Sequence, residues 1–222
     1  MGSFGQHLGG AAAVGIGCSV ASYFLFHTPI EDASAVGLVC IFGGVLPDID
    51  SPVSKPAEFV VGIFSMLLPV FALQSLHYTL MSPSRILLVA FGVFLLARYG
   101  IRELIKRFTF HRGMFHSIPM AVIWACGIFL AFRHSPDKLY YLAGVSALLG
   151  YLTHLAIDEM FSLVDISGGK FTPKKSLGSA LKFFSDSPRS NIAVYSTLLF
   201  LLYLCAVQVG YLQPLRIWKD FF

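Results

Sequence analysis

The stretch that decides the fold is Gly150-Tyr-Leu-Thr-His-Leu-Ala-Ile-Asp158, which ends a long apolar run. His154 and Asp158 are four residues apart, so in a helix both side chains lie on one face, one turn from each other. An imidazole and a carboxylate in that arrangement can bind one metal ion together. Because an ordinary hydrophobic helix has no use for such a pair, the sequence predicts a helical segment that binds metal.

The composition of the whole chain is that of an integral membrane protein. Of its 222 residues, 56% are hydrophobic and 13% are charged, whereas about 25% of the residues in soluble domains are charged. At this length we expect a single domain over residues 1–222. The net charge of +4, without a basic block, argues against nucleic acid as a partner. The four cysteines all lie inside apolar runs and are expected to be small buried side chains without disulfides.

Seven apolar runs are candidate membrane spans, because a helix of about 20 residues crosses the hydrocarbon core. The second, fourth and fifth runs are short, so each is either a full crossing or a re-entrant segment. The runs cover residues 8–26, 33–46, 57–76, 86–97, 117–132, 139–157 and 192–211. The sequence therefore predicts an all-α polytopic bundle of six or seven transmembrane helices.

Basic residues predict how the bundle is oriented. Residues 98–112 and 159–190 each contain five Lys or Arg, and loops rich in these residues face the cytoplasm. The amino terminus is then inside and the carboxyl terminus outside. Residues 159–190 are interpreted either as a basic, amphipathic loop lying on lipid head groups or as an ordinary cytoplasmic loop.

In this topology, four segments bring His and Asp side chains to the cytoplasmic face of the membrane. Pro47 disfavours helix at the residue before it, so we expect residues 46–52 to be extended, with Asp48 and Asp50 pointing the same way. The other segments begin the first span, begin the fifth span and end the sixth. The candidate metal ligands are His7, Asp48, Asp50, His111, His116, His154 and Asp158.

Seven nitrogen and oxygen ligands exceed what one tetrahedral zinc ion takes. They suit two divalent ions about 3.5–4 Å apart, as in many phosphoesterases. Two Zn²⁺ ions are expected because imidazole is plentiful, although Mn²⁺ and Fe²⁺ accept the same ligands. The nucleophile is then a metal-bound water, its pKa lowered to about 7, beside a bridging Asp50 or Asp48.

Further polar residues are predicted to serve the substrate. Arg112 can clamp a phosphate or carboxylate through two hydrogen bonds, and Lys174 and Lys175 can contact a phosphate. Ser51 and Ser117 are expected to hydrogen-bond the ligands or to cap helices. A site at the cytoplasmic interface can take the head group of a lipid, or of a lipid-linked substrate, whose tails stay in the bilayer.

Four motifs follow one another along the chain. They are His7 with Gly9-Gly10, Leu-Pro-Asp-Ile-Asp-Ser at 46–51, His-Arg-Gly-x-x-His-Ser at 111–117 and His154-x-x-x-Asp158. In this order they resemble the bacterial and archaeal family of membrane-bound, metal-dependent hydrolases, some of whose members are LexA-regulated. The resemblance covers residues 7–158 and implies a hydrolase of the cytoplasmic (inner) membrane. The last motif is also similar to that of zinc phospholipase C enzymes, which implies a phosphoester substrate.

Two other classes of protein use similar residues. Intramembrane His and Asp side chains also serve the proton or metal sites of transporters and channels, and a metal can be purely structural. A transporter usually has its site near the bilayer midplane, on interrupted helices and often within an internal repeat. This chain has no such repeat and its candidate ligands lie at span ends, so the hydrolase is the preferred hypothesis.

Overall fold

The computed structural model describes residues 2–50, 55–75, 81–108, 115–135, 139–163 and 181–213. Within these ranges the secondary structure is helical, with one isolated β-bridge and no strand. The helices are α1 (Phe4–Phe26), α2 (Ile30–Val45), the 3-10 helix η1 (Leu46–Asp50), α3 (Lys55–Ser75), α4 (Pro83–Phe108), α5 (Ile118–Ala131), α6 (Leu139–Leu163) and α7 (Pro188–Gln208). The predicted all-α class is confirmed, and each predicted span corresponds to one α-helix.

Not every helix is long enough to cross a bilayer by itself. In the described part of the chain, five helical stretches have the length and composition of a membrane span. They are Phe4–Phe26, Ile30–Ile49, Pro83–Ile101, Leu139–Phe161 and Pro188–Gln208. Helix α5 has 14 residues and so measures about 21 Å, short of the roughly 30 Å hydrocarbon core. The apolar part of α3, Ala57–Val70, is also short. The described residues therefore give five full-length spans and do not confirm the predicted six or seven.

The segment after α2 is not extended, and that prediction was wrong. Leu46 has right-handed helical torsions (φ −61°, ψ −40°), and Leu46–Asp50 form a 3-10 helix. Pro47 is tolerated because it lies in the first turn of η1, where the N–H that it lacks has no partner within the helix. With three residues per turn, residues two apart in a 3-10 helix do not share a direction, so the common direction expected of Asp48 and Asp50 no longer follows.

The helices fall into two compact units. The first consists of Met1–Pro47 and Met114–Phe222 and contains α1, α2, α5, α6 and α7, and the second is Asp48–Gly113. In the second unit α3 packs on α4, and Pro69 lies inside α3, where it removes one backbone hydrogen bond. This division does not test the prediction that residues 1–222 form a single domain.

Helix α6 is the centre of the first unit, because α1, α2 and α5 all pack against it. Ala143, Ala147, Tyr151 and Leu155 are buried along one side of α6 at a spacing of four residues, as expected for one helix face. His154 and Asp158 continue this buried side towards the carboxyl end of the helix. Their burial therefore follows from the same periodicity that buries the apolar residues.

Helices α2 and α6 run parallel and in close contact. The Ser146 hydroxyl donates to the carbonyl oxygen of Val36 at 2.7 Å, and Nδ1 of His154 is 2.8 Å from the carbonyl oxygen of Gly44. Both pairs are 110 residues apart in sequence, and a constant offset means parallel helices. Between these pairs lies Gly150, where an added Cβ would overlap the backbone carbonyl of Cys40. Glycine allows such a close approach of two backbones in a membrane bundle.

The burial predicted for the cysteines holds for two of the four. All four are free, with Cys40 and Cys126 buried and Cys18 and Cys205 partly buried. The Sγ atoms of Cys40 and Cys205 each lie 3.9 Å from a backbone carbonyl oxygen of a neighbouring helix. They fill small spaces between helices, as weakly polar side chains do.

The α2–α6 contact gives a test of the fold. We expect Gly150→Ala to destabilise the protein by about 1–3 kcal/mol, since the new methyl group meets backbone that cannot move aside. Gly17→Ala is the matched control, because a Cβ at Gly17 meets nothing within 4 Å. It should instead stabilise the helix by about 0.5–1 kcal/mol. Thermal unfolding in detergent measures both changes, and a Gly150→Ala protein that melts at or above the parent temperature would contradict the packing.

Candidate metal centre

Four polar side chains of the first unit meet at one end of its helices. His7 lies in the first turn of α1, His116 comes just before α5, and His154 and Asp158 lie in the second half of α6. Each is at most 5% exposed. We call His7, His116, His154 and Asp158 the candidate metal centre. Residues far apart in sequence come together there because α1 and α5 begin at the end of the bundle where α6 finishes.

Local capping interactions set the start of α1 beside this centre. The Ser3 hydroxyl accepts from the backbone N–H of Gln6 at 3.4 Å, and the Gln6 side chain accepts from the N–H of Ser3 at 2.6 Å. This reciprocal capping box satisfies two N–H groups at the start of the helix. The N–H of His7 donates to the carbonyl oxygen of Ser3 at 3.1 Å, so the turn that carries His7 is fixed.

Capping also sets the start of α5. Ser117 accepts from the N–H of Met120 at 3.4 Å and is the N-cap of α5, one of the two roles predicted for it. The Tyr151 hydroxyl donates to the carbonyl oxygen of Phe115. Because Tyr151 and His154 are three residues apart on α6, this bond attaches the residue before His116 to the helix that carries the other site residues.

The Asp158 carboxylate lies at the centre of the group. Its Oδ1 accepts the backbone N–H of Gly2 at 2.9 Å and lies 3.2 Å from Nε2 of His7. Its Oδ2 lies 3.7 Å from Nε2 of His154 and 3.8 Å from Nε2 of His116. These last two distances are too long for hydrogen bonds. They are close to the separation of about 3.4 Å between two ligands that are each about 2.1 Å from a tetrahedral ion.

The hydrogen bond from His154 to Gly44 determines which ring nitrogen can bind a metal. A carbonyl oxygen only accepts, so Nδ1 of His154 carries the hydrogen in this bond. In the neutral ring, Nε2 then has a lone pair that faces Oδ2 of Asp158, which is also an acceptor. A cation bound by both atoms removes the repulsion between them. Metal-ligating histidines are commonly oriented by such a bond from their second nitrogen.

His7 and His154 are stacked, with ring centroids 3.8 Å apart and an interplanar angle of 15°. Two positively charged rings would repel strongly at this distance in a buried site, so at least one ring is neutral and has a lone pair. Nδ1 of His7 is buried and has no hydrogen-bond partner among the described residues. His7, His154 and Asp158 each offer one ligand atom, all within 4.8 Å of one another. The donor set fits a divalent ion such as zinc.

Of the remaining predicted site residues, only the side chain of Asp48 belongs to the part of the chain that the structure describes. Asp48 is the first residue of the second unit, lies in η1 with a partly buried side chain, and follows Gly44 by four residues. The side chain of Asp50 lies outside what the structure describes. Also outside the described residues are Ser51, His111, Arg112, Lys174 and Lys175.

Three groups at the centre were not predicted from the sequence. They are the N–H of Gly2, the carbonyl oxygen of Gly44 and the hydroxyl of Tyr151. The first two are backbone groups, which every residue has, so no sequence signal indicates them. Tyr151 did have a signal, because it precedes His154 by three residues and therefore shares its helix face.

The metal hypothesis is tested by measuring metal content. We expect detergent-purified protein, prepared without chelator and offered zinc and manganese, to retain at least one equivalent of metal by elemental mass spectrometry. His154→Ala should weaken metal binding by more than about 100-fold. Removing only a residue that hydrogen-bonds a metal ligand already lowers metal affinity about 10–100-fold. His134→Ala, at an exposed histidine, is the matched control and should bind like the parent. A parent protein that retains neither zinc nor manganese would rule out the centre.

The chain was also compared with known proteins. A model of the family described as YdjM inner membrane protein matches residues 1–214. Searches of curated proteins and of solved structures found no match.

Proposed function

The chain belongs to the YdjM inner membrane protein family, and from that premise we propose that it is a membrane-embedded, metal-dependent hydrolase. The observation that supports the proposal is the buried cluster of three histidines around Asp158 at one end of the helices. Ionisable side chains inside a membrane protein are costly and usually have a function. The stability of a helical bundle does not require four of them in one place.

In this proposal His7, His154 and Asp158 hold the first divalent ion, for which zinc is the preferred metal. His116, His111, Asp48 and Asp50 supply ligands to a second ion. Asp48 and Asp50 are proposed on the sequence motif Leu-Pro-Asp-Ile-Asp at 46–50. A divalent ion bound at this centre makes hydroxide available from water at neutral pH. The protein would orient the ligands, and Asp48 or Asp50 would be the catalytic carboxylate that the sequence predicts.

The proposed substrate is a phosphoester, or a related bond, in a lipid or lipid-linked molecule. The segment that leads into α7 supports this, because the carbonyl oxygen of Lys182 accepts from the N–H of Ile118 at 3.2 Å, two residues after His116. Phe183 and Phe184 in this segment are exposed. Basic and aromatic side chains together suit the head-group region of a bilayer. Arg112, Lys174 and Lys175 are proposed to contact the phosphate.

The position of the site favours hydrolysis over transport. His7 is the fourth residue of α1 and His116 precedes α5, so both lie at helix ends. A transporter site would be expected near the midplane, on interrupted helices. At a helix end, a head group can reach the metal while its acyl chains stay in the bilayer.

The metal centre is proposed to face the cytoplasm, as the basic loops predict. The bond between Ile118 and Lys182 places the segment before α7 beside the start of α5, at the end of the helices where the centre lies. We therefore expect the chain after Gln208 to be outside. Alkaline phosphatase fused after Gly210 should be active and green fluorescent protein fused there dark. The reverse pattern would place the centre on the outer face.

Activity on lipids tests the hydrolase itself. We expect the zinc- or manganese-loaded protein, in mixed micelles of detergent and bacterial phospholipid, to release a phosphorylated head group or inorganic phosphate. His154→Gln should lower the rate of hydrolysis at least about 100-fold, because it removes a metal ligand. Loss of a group that only hydrogen-bonds such a ligand already lowers activity about 10–100-fold. His134→Gln, at an exposed site, should leave the rate unchanged. Metal-loaded protein that hydrolyses none of a lipid phosphoester panel, but carries metal or protons across vesicle membranes, would favour the transporter.

A further inference from the structure

A backbone group ahead of α1 takes part in the candidate metal centre. The N–H of Gly2 donates to Oδ1 of Asp158 at 2.9 Å, across 156 residues of sequence. The capping box of Ser3 and Gln6 follows immediately, so the direction of the chain at Gly2 is set by the start of the helix. The segment before α1 is thus held on the carboxylate that all three histidines surround.

The Gly2 bond makes the two oxygens of Asp158 different. Oδ1 has the N–H of Gly2 at 2.9 Å and Nε2 of His7 at 3.2 Å, both within hydrogen-bond distance. Oδ2 faces His154 and His116 at 3.7 and 3.8 Å, distances suited to neighbouring metal ligands. Rotation of the carboxylate would break the bond from Gly2, so this bond favours the orientation in which the other oxygen faces the histidines.

The absence of a side chain at Gly2 is also required. A Cβ at this residue would lie 2.9 Å from Nε2 of His7 and 2.9 Å from Cγ2 of Ile157. Carbon atoms do not approach a ring nitrogen this closely, so any other residue would displace His7 or move the amide away from Asp158. Gly5, three residues later, has nothing within 4 Å of an added Cβ.

We propose that Gly2 is a positioning residue of the metal centre. Its amide holds Oδ1 of Asp158 so that Oδ2 is presented to the ion, and its lack of a side chain leaves room for the His7 ring. This inference rests on the proposed metal function and adds to it a contribution from the chain ahead of the first helix.

Cobalt binding tests the role of Gly2, because Co²⁺ replaces zinc and its visible absorption reports the ligand geometry. Gly2→Ala adds the Cβ, Gly2→Pro removes the N–H, and Gly5→Ala is the matched control. All carry a carboxyl-terminal affinity tag, and intact mass verifies that Met1 is retained. We expect both Gly2 variants to bind Co²⁺ about 10–100-fold more weakly. This is the usual effect of losing a group that hydrogen-bonds a metal ligand. Their absorption bands should shift, while Gly5→Ala matches the parent.

The outcomes separate this inference from the proposed function. If the parent binds Co²⁺ and both Gly2 variants match it in affinity and spectrum, Gly2 does not position the centre although the metal function stands. If the parent binds no Co²⁺, the metal function itself is overturned. Unchanged thermal unfolding of the metal-free variants shows that weaker binding reflects the centre and not loss of the fold.

Discussion

The structure of the first unit depends on one buried carboxylate. Asp158 is 3% exposed, and removing an ionised carboxylate from water costs several kcal/mol unless donors or cations compensate. At Oδ1 the compensation comes from the N–H of Gly2 ahead of α1 and from His7 in α1. At Oδ2, which faces His154 in α6 and His116 before α5, it is proposed to come from a bound cation. These groups must therefore meet at one end of the bundle, and their helices are oriented accordingly.

Close packing of the helices fixes the geometry of the candidate metal centre. The carbonyl oxygen of Gly44 reaches Nδ1 of His154 because α2 lies directly against α6, and Gly150 allows that approach. A backbone carbonyl near the end of a packed helix moves less than a side chain does, so the ring of His154 has one orientation. The apolar contacts between helices therefore hold in place the polar groups that form the candidate metal centre.

The sequence predicted what depends on local periodicity. The spacing of His154 and Asp158 places them on one helix face wherever the helix lies, whereas the orientation inferred from the basic loops stays a prediction. The 3-10 turn at Leu46–Asp50 was missed because Pro47 is compatible with both an extended chain and a first helical turn. The N–H of Gly2 and the carbonyl oxygen of Gly44 were beyond sequence reasoning, since their positions depend on how whole helices pack.

The charges of the centre connect its structure with the proposed substrate. Histidines that bind a metal ion do so as neutral rings, so in the metal-binding form Asp158 gives the four residues one negative charge. A divalent ion held there makes the centre positive by one charge, in a buried site where electrostatic attraction is strong. A singly charged phosphodiester neutralises that excess, whereas a neutral carboxylic ester does not. Among the lipid bonds that a metal hydrolase can cleave, the charge of this centre therefore favours a phosphoester.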